Sequence, residues 1–65
     1  MEKGTIRSYE KNSGGMIGRL GNMDVQFLSQ SVLGKDRSYL KQGDSVWFEV
    51  DNVQNVHMAI NIRKC

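Results

Sequence analysis

Few residues in this chain have the types and spacing that covalent chemistry needs. There is one histidine, His57, and one cysteine, Cys65, at unrelated positions. A Cys–His catalytic pair is therefore available only in principle. No group of Cys, His, Asp and Glu has metal-ligand spacing, so no metal or other cofactor is expected. Asp24, Asp36 and Asp44 are scattered through turn-rich segments, where a carboxylate caps turns more readily than it joins an acid–base pair. Gly14, Gly15 and Gly18 superficially resemble a phosphate loop. No helix follows them, and helical amides are what such a loop requires. These observations point to a binding module with no enzymatic activity and no small-molecule substrate. The side chains suited to recognition are Arg7, Tyr9, Arg19, Gln26 and Trp47. A guanidinium both stacks on planar groups and pairs with phosphate, and a primary amide reads hydrogen-bonding edges.

The elements that must position these residues are short strands. A chain of 65 residues allows one domain, spanning 1–65. Such a domain buries only about 60% of its unfolded-chain surface, which leaves little core for a catalytic cavity. Apolar residues make up 38% and charged residues 25%, a globular composition rather than a disordered one. The net charge of +2, with both signs interspersed, permits a polyanionic partner without requiring one. The lone cysteine fits a reducing compartment. No apolar run approaches a signal-peptide core or a membrane span, so the expected location is cytoplasmic, without membrane contact.

Gly4–Tyr9 is rich in β-formers, and Met16–Leu20 reads as a second strand after a Lys11–Gly15 turn. Gly21-Asn22-Met23 is a tight turn, and Asp24–Leu28 a third strand. A long connection from about Ser29 to Gly43 follows, with Val32, Leu33 and Leu40 as its anchors. Val46, Phe48 and Val50 alternate with Trp47 and Glu49, the clearest period-two pattern in the chain. Asp51-Asn52 begins the next turn. The fifth strand, His57–Arg63, sets Met58, Ile60 and Ile62 against Ala59, Asn61 and Arg63. No segment sustains a 3.6-residue apolar period. Five strands with one long connection predict an all-β fold, a five-stranded antiparallel barrel of the OB type.

In order and spacing, these segments resemble the cold-shock domain family. Gly4-Thr5-Ile6-Arg7 with Tyr9 resembles its opening strand, and Asp24–Leu28 its D-V-F-V-H third strand. Leu40, Gly43, Val46 and Phe48 resemble its L-x-x-G-x-x-V-x-F segment, and Ala59, Asn61 and Ile62 its closing A-x-N-V. From Asp24 to Ile62 the spacing matches without a gap, so the resemblance covers nearly the whole chain. The family binds single-stranded RNA and DNA by stacking bases on aromatic side chains of strands one to three. Here the family's Trp falls on Ser8 and its neighbouring Phe on Tyr9. The motif K-G-F-G-F-I is degraded. One register lays it on Gly15–Leu20 with two extra residues in the preceding turn, which makes Leu20 inward and puts Ile17 and Arg19 at the two stacking positions. The other aligns Gly14 with the motif's first glycine. In strand three, Val25 and Phe27 are inward, while Gln26 and Leu28 replace the outward aromatics.

The resemblance thus implies a single-stranded nucleic-acid binder whose face is weakened or altered. Its expected contacts are Arg7, Tyr9, Arg19 and Gln26, with Lys11, Lys35 and Arg37 bordering the face. The alternative is a barrel reused as a protein-interaction or regulatory module, including a homodimer. Its expected surface is Ile17, Leu28, Tyr39 and Trp47.

Overall fold

The computed structural model describes residues 1–65. Alternating apolar residues form five strands: β1 (Glu2–Glu10), β2 (Gly14–Gly18), β3 (Val25–Leu28), β4 (Ser45–Val53) and β5 (Val56–Lys64). They close in the order β1-β2-β3-β5-β4, with β4 returning onto β1. Closure leaves no free sheet edge, which a small sheet otherwise has to protect. The pairing is mixed, not purely antiparallel as the sequence predicted. β3 and β5 run parallel through Gln26 and Met58. The connection after β3 carries the chain across to β4, and the β4–β5 hairpin then brings β5 back in the direction of β3.

The core lies inside the barrel, where Phe48, Ile6, Ile17, Ile62, Val46 and Val32 are fully buried. Val46 and Phe48 point in while Trp47 and Glu49 point out, as their alternation predicts. Val25 and Phe27 are likewise inward, with Gln26 and Leu28 outward. The long connection is not featureless. It holds a 3-10 turn at Ser29–Ser31 and a short helix, α1 (Asp36–Tyr39). Val32 and Leu40 anchor it in the core, but Leu33 is exposed. No helix is long and apolar enough to cross a membrane.

Three further sequence expectations change. First, Leu20 is fully exposed and Ile17 is buried. β2 ends at Gly18, and Ile17 takes the inward slot opposite Ile6. The motif's closing aliphatic is therefore Ile17, and the motif occupies Asn12–Ile17, which neither proposed register allowed. Gly15 becomes its close-packed glycine: a Cβ there would collide with the Ser8 carbonyl oxygen. Second, β5 changes phase. Ala59 and Ile62 are both buried. The register against β4 shifts between Trp47 and Glu49, and Asn61 adopts φ 53° to absorb the extra residue. Asparagine tolerates this left-handed geometry better than most residues. Third, the last turn is at Gln54-Asn55, not Asp51-Asn52. Both of its residues have positive φ, 51° and 65°, as a two-residue type I′ hairpin requires.

Candidate nucleic-acid interface

Cross-strand register decides which side chains share the outward face of β1–β3. Ser8 pairs with Met16, Met16 with Gln26, and Gln26 with Met58. Ile6, Ile17, Val25 and Ala59 beside them are inward, so Ser8, Met16, Gln26 and Met58 form one outward row. The next row is Glu10, Gly14 and Leu28. Between the rows lies a shallow depression lined by Gly14, Met16, Gln26, Leu28 and Met58. Gly14, at φ 152°, lies so close to β3 that a Cβ would collide with the Phe27 carbonyl oxygen. The two outward positions of the K-G-F-G-F-I motif are therefore Gly14 and Met16. The face carries thioethers and an amide where a cold-shock platform would carry rings.

Arg7 stands at the border of this face. A register shift between Ile6 and Ser8 marks a bulge in β1 that makes Arg7 the extra residue. Its guanidinium covers Gly18, where a Cβ would lie 2.5 Å from Nε. Nε also reaches Asp24 Oδ2 at 3.1 Å, with the Arg7 side chain still 63% exposed. An exposed pair of this kind contributes about 0–1 kcal/mol and yields readily to a stronger anion.

Tyr9 is not on the outward row. It pairs with Gly15 and points inward, with its ring stacked on Phe27. Its hydroxyl donates to the Arg37 carbonyl at 2.7 Å. Burial raises the phenol's pKa above its ordinary value of 10.0, the Arg37 charge opposing the shift and Glu10 adding to it. Tyr9 is thus an edge of the core that ties β1 to α1.

Arg19 also has a structural task. Its side chain is only 13% exposed and pairs with Glu2 at 3.4 Å. Nε donates to the Met23 carbonyl at 2.8 Å, and Asn22 Oδ1 lies at 3.5 Å from the guanidinium. It therefore holds the β2–β3 turn from within. Arg37 donates to the Gln30 and Val32 carbonyls and organises the long connection. Lys11 and Lys35 are exposed in turns and make no side-chain hydrogen bond or ion pair. Ile17, expected at a protein-facing surface, is in the core and contributes to no surface. Leu28 is outward beside Met16, and Tyr39 is 69% exposed at the end of α1. Trp47 lies on the β1–β4–β5 side, away from the Met16 row.

The structure thus unites Gln26 and Leu28 on one face with Arg7 at its border, and removes Tyr9, Ile17 and Arg19 from it. Met16 and Met58 were not singled out in the sequence. Met16 depended on the β2 register, and Met58 on a parallel pairing that no local pattern reveals.

A closed five-stranded barrel with this connectivity is an OB-type module. No protein-family model matches the chain, and no curated protein does. Among solved structures it is similar to Drosophila Unr CSD456, with 26% sequence identity and a TM-score of 0.80 over 98% of this chain. The chain spans only 26% of that protein's chain. The chain is a cold-shock-like domain, a five-stranded barrel of the OB type.

Proposed function

We propose that this domain binds single-stranded RNA or DNA through the outward face of β1–β3, with a weakened and altered contact set. The observation that carries the reading is the Ser8–Met16–Gln26–Met58 row, an open face with an arginine at its border. Methionine side chains adapt to planar ligands through their polarisable sulfur. Gln26 supplies donor and acceptor atoms to a base edge. Arg7 exchanges Asp24 for a phosphate, and Lys11 lies at the rim for another. Stacking on rings is replaced by softer contacts, so phosphate electrostatics carries most of the affinity. The test is anisotropy of labelled single strands at low and moderate salt. Binding that weakens with salt and in Arg7→Ala supports the reading. No binding at low salt refutes it.

A second reading is a protein-interaction or regulatory module without significant nucleic-acid binding. It is favoured by the β2–β3 turn, where Leu20 and Met23 are both strongly exposed on a segment held by Arg19. Sedimentation across a concentration series tests its homodimer form: self-association that Leu20→Ser abolishes supports it.

A further inference from the structure

We propose that Lys3, Trp47 and Arg63 form a second subsite for single-stranded nucleic acid, in which a base stacks on Trp47 and the two cations hold the flanking phosphates. The inference rests on the nucleic-acid reading but uses separate residues on a separate face. β4 lies between β1 and β5, and Lys3 and Arg63 are the partners of Trp47 on its two sides. Directly opposed residues on one face have neighbouring Cβ atoms, so the three make a single row. Val46 and Phe48 flank Trp47 in sequence and are fully buried, which turns the indole outward, 37% exposed. The Lys3 ammonium lies 5.6 Å from the ring centroid.

The charges of this row are not matched by acids. The ion pairs of the domain are Arg7–Asp24, Arg19–Glu2 and Lys64–Asp44, so neither Lys3 nor Arg63 has an acidic partner. The Arg63 guanidinium meets only the Met1 sulfur, at 3.6 Å. The nearest outward carboxylate along β4, Glu49, accepts a hydrogen bond from the Asn61 amide at 3.2 Å. An aromatic surface between two unpaired cations complements a ligand with a planar group flanked by anions, which is the repeat of a nucleic-acid strand. An acidic peptide satisfies the cations but leaves the indole without a stacking partner.

Lys3 covers part of the ring in the free domain and has to lift to admit a base. Base–aromatic stacking is stronger than an exposed cation–π contact, and the released ammonium is well placed for the phosphate. β1 joins this subsite to the Met16 face. Lys3, Thr5 and Arg7 are all exposed along it, and Lys3 and Arg7 are about 13 Å apart at the rise of a strand.

Trp47 is the only tryptophan, so intrinsic fluorescence reports this subsite alone. The experiment titrates the domain with short oligothymidylate and oligouridylate at low salt. Trp47 emission and the anisotropy of the labelled strand are both followed. Quenching should saturate with the same Kd as the anisotropy. Trp47→Ala should weaken binding about tenfold. The double variant Lys3→Gln/Arg63→Gln keeps the indole and the fold, and should lower the slope of log K against log salt by about 1.4, about 0.7 per phosphate. Anisotropic binding with unchanged Trp47 emission overturns the second subsite while leaving the Met16 face intact. Absence of binding by both signals overturns both readings. Emission that responds only to rising protein concentration makes Trp47 a self-association contact and overturns the proposal.

Discussion

Tyr9 lies against Phe27 with ring centroids 5.7 Å apart and planes 16° from parallel. The ring at this position of β1 therefore faces a core aromatic and is not presented to a ligand. Its only polar atom is spent on the Arg37 carbonyl, 28 residues along the chain. Tyr9→Phe should cost about 1 kcal/mol, the net worth of one such hydrogen bond. In a domain of this size that lowers Tm by about 4–8 °C, readable by circular dichroism. Oligonucleotide affinity should be unchanged. A loss of affinity at unchanged stability would return Tyr9 to the binding face.

The same residue makes a prediction in alkali. The folded pKa is raised above 10.0, so the unfolded state ionises first as pH rises. The unfolded chain then binds fewer protons, and stability falls with pH. The contribution of the neutral phenol is fully present below pH 10 and is lost as pH climbs toward the folded pKa. Urea unfolding of wild type and Tyr9→Phe across this range should show a steeper decline in wild type. Other alkaline titrations are common to both chains and cancel.

Arg7 and Arg19 should separate cleanly. Arg7→Ala removes an exposed cation at the edge of the Met16 row and should lower the salt slope by about 0.7 with stability nearly unchanged. Arg19→Ala removes the donor that holds the Met23 carbonyl and should cost about 1 kcal/mol with little change in slope. Equal salt effects for both would contradict the division of labour between them.

Restoring a ring tests the diagnosis that the face lacks stacking surface. Met16 is outward in β2, across from Ser8 and Gln26. Met16→Phe should tighten binding to oligothymidylate about tenfold, within the range of one base–aromatic stack. No gain would mean that the strand does not cross this part of the face.

The β4–β5 turn has room for improvement. Gln54 and Asn55 both sit at positive φ, where glutamine is strained. Replacing the pair with Asn-Gly, the preferred type I′ dipeptide, should stabilise the domain by about 0.5–1 kcal/mol. A shift of the urea midpoint at constant slope would register it.

The second strand shows where local reading stopped. Ile17 and Leu20 are both aliphatic and lie three residues apart near the end of the strand. Choosing one for the core decides the facing of every neighbour, because a one-residue slip exchanges the two faces. Ile17→Ala should cost about 2–5 kcal/mol and Leu20→Ser less than about 0.5 kcal/mol. The glycine beneath the choice is informative too. Gly15→Ala drives a methyl into the Ser8 carbonyl and should destabilise by about 3 kcal/mol.

Alternation along β4, the inward Val25 and Phe27, and the number of strands were legible in the chain itself. They follow from the two-residue period of a strand and from turn-forming residues, both local properties. The degraded aromatic platform was legible as well, since Ser8 and Gln26 contain no ring wherever the strands lie. The β2 register, the bulges at Arg7 and Asn61, and the parallel pairing of Gln26 with Met58 were decided only by closure of the barrel. So was the meeting of Lys3, Trp47 and Arg63, which are far apart in sequence. A strand's own residues determine which of them can share a face. Its neighbours, chosen by packing across the whole barrel, determine what that face meets.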